Sequence, residues 1–137
     1  MRIPTAIASV ILSTCLAGCG GPTTATVSGN VTFNGQPVVG GAITLWPEDG
    51  KGAVSGAGIE NGRYEIRGVS PGVKIVRLTA PVALGTTGKD DYGNTVEGRA
   101  DLMPPSWGQA SKEKLTVAAP RTSQDFAVEG PDPRKKK

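Results

Sequence analysis

Between Thr26 and Phe33 apolar and polar residues alternate: Val27, Gly29, Val31 and Phe33 fall on one side, Thr26, Ser28, Asn30 and Thr32 on the other. A period of two is that of a half-buried β-strand. The Asn34-Gly35 pair that follows tolerates positive φ, so the strand is predicted to end in a tight turn. The same device returns at Asn61-Gly62, ahead of Arg63-Tyr64-Glu65-Ile66-Arg67, where Tyr64 and Ile66 point one way and the charges the other. This is the clearest hairpin in the chain.

The remaining strands are read from the same signals. Ile43 and Leu45 form the inward side of a strand ending at Pro47, which cannot donate to a ladder, and Glu48-Asp49-Gly50 turns the chain. A Gly-rich strand is expected from Ala53 to Ile59. After the Ser70-Pro71-Gly72 turn comes a strand from Val73 to Ala80, whose Ile75-Val76 pair breaks alternation and predicts a bulge or burial on both faces. Two late strands follow, Lys114 to Ala118 and Gln124 to Val128. No convincing helical periodicity occurs after the first residues, and short strands separated by Gly and Pro turns predict an all-β, antiparallel β-sandwich. The segment 81–113 stands apart as a long insertion, of the kind that is either functional or loosely ordered.

The chain opens differently. Arg2 is followed by a short apolar stretch from Ile3 to Leu12, then Leu16-Ala17-Gly18-Cys19. That is the three-part layout of a secretory signal, too short to span a bilayer as a helix. Leu-Ala-Gly-Cys resembles the lipobox of bacterial lipoproteins. The resemblance implies a signal peptide over 1–18 that is cleaved, lipidation of Cys19 by acyl chains such as palmitate, and anchorage to a membrane. Gly20 after the cysteine, where aspartate would retain a lipoprotein in the inner membrane, implies the outer membrane, facing the periplasm or the exterior. Residues 19–25 would then be a lipidated tether, 26–130 the sandwich domain and 131–137 a basic disordered tail.

Removal of 18 of the 137 residues leaves 119, enough for one domain and too few for two. Cys15 leaves with the leader and lipid consumes Cys19, so the domain has no thiol for a disulfide. The net charge of +3 is misleading, because Arg134 to Lys137 crowd four positive charges at the end, while residues 19–130 hold ten Lys and Arg against eleven Asp and Glu. A nucleic-acid-binding surface is not expected from that distribution.

Val27-Ser28-Gly29-Asn30-Val31, Asn34-Gly35-Gln36-Pro37, the run from Gly40 to Pro47, Gly62-Arg63-Tyr64-Glu65-Ile66 and the Gly68 to Gly72 turn together resemble the carboxypeptidase regulatory-like domain. Met103-Pro104-Pro105-Ser106-Trp107, Leu115 and Asp125-Phe126 look like the distal half found in small bacterial lipoproteins with this domain. The resemblance covers most of the chain after the leader and is strongest up to Ala80. It implies a seven-stranded prealbumin-like sandwich, generally not catalytic. Leu45 and Trp46 depart from the Phe and Tyr expected there.

Residues able to carry chemistry are few. There is no histidine, which removes the commonest general base and a common zinc ligand. Ser111-Lys112-Glu113-Lys114 matches the Ser-x-x-Lys string of penicillin-recognising enzymes but lacks its two companion motifs. Gly85-Thr86-Thr87-Gly88-Lys89 has glycines too close for a phosphate loop, and Asp90, Asp91, Asn94 and Glu97 lack the order of a defined calcium loop. Neighbouring carboxylates such as Glu48 and Asp49 seldom flank a substrate. No enzyme, metal or cofactor is expected. Trp46 and Trp107 are the possible ligand-binding residues, since exposed rings stack on sugars. The expected function is a lipid-anchored, non-enzymatic module of the cell envelope, structural or contacting an envelope protein; the alternative is a module binding carbohydrate or cell-wall polymer.

Overall fold

The computed structural model describes residues 23–135. The leader 1–18, Cys19 and the first part of the tether lie outside the described residues. Among those described there are eleven strands and no helix: β1 (Ala25–Phe33), β2 (Gln36–Pro37), β3 (Gly40–Pro47), β4 (Ser55–Glu60), β5 (Arg63–Val69), β6 (Gly72–Thr79), β7 (Pro81–Lys89), β8 (Thr95–Asp101), β9 (Lys114–Val117), β10 (Arg121–Ser123) and β11 (Phe126–Val128).

Hydrogen bonds link the strands in the order β10-β1-β5-β4-β3-β6-β9, with β2 and β11 also on β1. The β4–β5 ladder consists of the single pair Glu60 and Arg63 at the Asn61-Gly62 turn. Beyond it the two strands part, and the sheet folds there into two leaves. One leaf contributes Val27, Val31, Phe33, Tyr64 and Ile66, the other Ile43, Leu45, Ile59, Val76 and Leu78, and all belong to one buried cluster. This is a β-sandwich in which each leaf presents alternate residues inward. Ile43 and Leu45 are fully buried, each worth about 1.5–3 kcal/mol of apolar transfer.

Both Asn-Gly pairs behave as expected. Asn34 and Gly35 lie at φ 49° and 79°, Asn61 and Gly62 at 49° and 78°. Two successive positive values are the requirement of the hairpin turn that matches strand twist.

Two expectations are corrected, and a third resolves between its alternatives. The sandwich sheet has nine strands among the described residues instead of seven, with β7 and β8 apart from it, and pairing is not purely antiparallel: β10 and β11 both run parallel to β1. Of the two outcomes expected of the Ile75-Val76 pair, the bulge is absent, because the β3–β6 ladder runs unbroken from Ala42 and Thr79 to Pro47 and Lys74, and burial on both faces is met in part, Val76 being buried inward and Ile75 half-buried outward. Lys74, Val76 and Leu78 take the inward positions, and the Lys74 ammonium donates to Ser70 Oγ at 2.9 Å. A long aliphatic stem lets lysine occupy an apolar position near the end of a layer.

The segment 81–113 divides into two parts. Strands β7 and β8 form a separate two-stranded ribbon. Leu102 and Met103 then dip into the core, and the chain returns along the outer edge of β6, where Trp107 C=O accepts from Leu78 N–H and Glu113 C=O from Val76 N–H. Those bonds complete the part of the β6 edge that β9 does not reach.

Candidate functional site

The two tryptophans occupy different sides of the leaf built on β3. Trp46 alternates with buried Leu45 and is 38% exposed on the outer face. One face of its ring is covered: the Arg77 guanidinium lies 4.4 Å from the ring centroid, brought there by the pairing of Thr44 with Arg77, and the indole N–H donates to Thr44 Oγ1. Such a cation on a ring is itself a favourable contact and takes up one of the two faces on which a sugar could stack. Trp107 is half-buried and meets Phe126 edge-on at 5.9 Å, and Phe126 in turn lies 6.0 Å from Tyr64. The two indoles therefore do not converge on a shared platform. The Arg77 contact depends on strand register, which nothing in the local sequence announces.

The side chains that resembled reactive motifs are committed to local structure. Ser111 is buried and its hydroxyl donates to Val76 C=O, while Lys114 pairs with Glu48 on the surface. Asp49 accepts from Lys51 N–H within its turn. Asp90 accepts from the backbone N–H of Tyr92 and Asn94 and from the Asn94 side chain. Those bonds, the Asn94 amide foremost, hold its carboxyl below the usual carboxylate range.

Two surface depressions stand out among the described residues. An open cleft of about 780 Å³ lies where β4 and β5 diverge and is lined by Asn30, Glu60, Asn61, Arg63 and Glu65 among others. Its walls carry both signs of charge and no exposed aromatic ring. A second, of about 640 Å³, is lined by Phe33, Pro37, Val39, Pro81 and Val82 at the base of the ribbon, with Arg134 at its rim.

Both strands of the ribbon are largely exposed. Only Val82, Leu84, Gly98 and Ala100 are even partly covered. Its base is fixed by Asp101, whose carboxylate accepts from Ala80 N–H at 2.9 Å and Met103 N–H at 2.8 Å. Its tip is held by the Asp90 network and presents Tyr92, 92% exposed. Pre-ordered turns carrying an exposed tyrosine are suited to contact with another macromolecule, because a rigid ring loses little freedom on binding. In the sequence the segment stands out by its length and not by its form, because Gly85, Gly88 and Gly98 dilute the alternation that reveals other strands.

No family model and no curated protein matches the chain. Among solved structures, the chain is similar to a 9R-lipoxygenase from Cyanothece PCC8801, at 14% identity and TM-score 0.37 over 96% of this chain and 19% of that one. It is also similar to the major pilin subunit of Bacillus cereus, at 12% identity and TM-score 0.44 over 79% of this chain and 30% of that one. The chain thus spans less than a third of the length of either structure, and likenesses this distant assign it no activity.

Proposed function

We propose that this protein is a lipid-anchored, non-enzymatic module of the cell envelope, with a prealbumin-like sandwich as scaffold and the β7–β8 ribbon as its contact element. The reading is supported chiefly by the ribbon itself: it stands off the core, its base and tip are fixed by Asp101 and Asp90, and it exposes Tyr92. The Leu16 to Cys19 string supports the anchor. Anchoring by two or more acyl chains is firm, and Arg134 to Lys137 would add about 1 kcal/mol each near an anionic surface. The sugar-binding alternative has less support, since Arg77 covers one face of Trp46 and Trp107 packs on Phe126.

The test is made in cells. A palmitate analogue should label the wild-type chain and leave Cys19→Ser unlabelled, and a photo-reactive group replacing Tyr92 should capture protein upon irradiation. Equal labelling of Cys19→Ser would end the anchor, and capture of glycan alone would end the protein-contact reading.

A further inference from the structure

The two edges of the ribbon differ. The β7 edge is guarded against pairing: Pro81 lacks a donor, the register shifts between Ala83 and Thr87, Gly85 lies at φ 68°, and Lys89 closes the strand. Proline, irregularity and lysine are the devices by which proteins blunt a free strand edge. Strand β8, Thr95-Val96-Glu97-Gly98-Arg99-Ala100-Asp101, has no proline and no lysine, and among the described residues no other strand pairs with its outer side.

The backbone groups that β8 turns outward can be assigned. At one end Leu102 N–H donates to Ala80 C=O, and at the other Asn94 C=O accepts from Asp90 N–H. Both groups belong to even-numbered residues and face β7. Antiparallel strands alternate in this respect, so Val96, Gly98 and Ala100 also turn their backbone groups to β7, while Thr95, Glu97 and Arg99 turn theirs outward.

We propose that the outer edge of β8 binds the same edge of a second copy of this chain, antiparallel, across a twofold axis at Gly98. That register joins residues with outward backbone groups and sets Glu97 opposite Arg99 of the second copy, twice over by symmetry. On the other face Val96, 43% exposed, stands opposite Ala100 of the second copy, with the two Gly98 residues meeting at the axis. A self-complementary patch of this kind is what an isologous contact demands. Directly opposed unlike charges stabilise a pair of strands and like charges oppose it, so Glu97-Gly98-Arg99 selects this register over its neighbours. The product is a four-stranded sheet, β7-β8-β8-β7, in which an isolated ribbon gains the extra strands that make a small sheet stable. The contact is small, and co-anchoring on one membrane would raise its effective concentration. The inference rests on the ribbon being the contact element.

Sedimentation equilibrium of the full chain in a non-ionic detergent tests it. The wild type should dimerise, and Glu97→Arg and Arg99→Glu should each weaken the dimer by about tenfold or more. The double exchange, and an equimolar mixture of the two single variants, should each restore it. Circular dichroism on each variant checks folding. A wild type that stays monomeric overturns the proposal, as does a dimer indifferent to either exchange or a mixture that fails to associate. If the wild type is monomeric while the Tyr92 photo-crosslink captures a different protein, self-pairing falls and the contact role of the ribbon stands.

Discussion

Asn34 and Gly130 bind each other twice: the Asn34 side-chain N–H donates to Gly130 C=O at 2.9 Å, and Gly130 N–H donates to Asn34 Oδ1 at 3.0 Å. A turn residue at φ 49° thus also clamps the chain just past β11. Asn34→Gly keeps the backbone freedom and loses the clamp, for a cost of about 1 kcal/mol. Asn34→Ala loses both and should cost about 2 kcal/mol. Urea denaturation of wild type and both variants would separate the contributions: an Asn34→Gly midpoint equal to wild type would show that the clamp contributes nothing, and equal midpoints for the two variants that the positive φ costs alanine nothing.

Tyr64 carries a pH dependence. Its hydroxyl donates to Gln124 C=O at 2.5 Å, and burial first, with the Asp125 charge second, pushes the phenol well above its ordinary value of about 10. The folded protein therefore holds this proton where the unfolded chain releases it. That contribution to stability is complete below about pH 10 and is lost as pH rises beyond. Wild-type stability should fall between about pH 10 and 12, whereas Tyr64→Phe should lose about 1 kcal/mol at neutral pH and show a shallower alkaline decline. Parallel alkaline slopes for both proteins would assign the decline to other groups.

Gly29 is required by a close approach. A Cβ there would lie 1.9 Å from Gln124 C=O, the carbonyl that Tyr64 also uses. Gly29→Ala must displace the Gln124-Asp125 bend between β10 and β11, and should cost about 2 kcal/mol or more. Hydrogen exchange at Asn30 N–H, which donates to Asp125, should accelerate with it; unchanged protection would mean that the bend relaxes without loss.

Asp101 should act on the ribbon more than on the sandwich. Asp101→Ala removes the acceptor of Ala80 and Met103 N–H, at about 1–2 kcal/mol. Amides of β7 and β8 should lose protection while those of β3 and β6 retain theirs. Uniform loss across both sheets would show that ribbon and sandwich open as one unit.

The parts of this fold that sequence reveals are those where side-chain alternation and turn chemistry agree. β1 and β5 show both, with Asn34-Gly35 and Asn61-Gly62 at their ends. Ile75 breaks the alternation because outward positions on β6 are half-buried: Ile75 pairs with Trp46, so the sequence leaves a bulge and two-sided burial open and only the register decides between them. β10 and β11 are three residues each, and their parallel partners in β1 are 95 positions away, as for Val31 and Phe126. No local pattern encodes such a pairing. Trp46 and Trp107 are recognisable in the sequence as the large rings, but whether a ring faces solvent, an arginine or the core follows from tertiary register, and the free edge of β8 exists only by virtue of its pairing with β7.

The parallel seating of β10 and β11 on β1 has a mechanical meaning. The chain enters the domain at the start of β1 and leaves it just after β11, and both run in the same direction. If the protein is held by its N-terminal side and pulled from its C-terminal side, the force runs along these strands in opposite senses. The hydrogen bonds between them are then loaded together in shear, not peeled one after another, so the domain would resist traction between an anchor and a load much better than a hairpin opened from its ends.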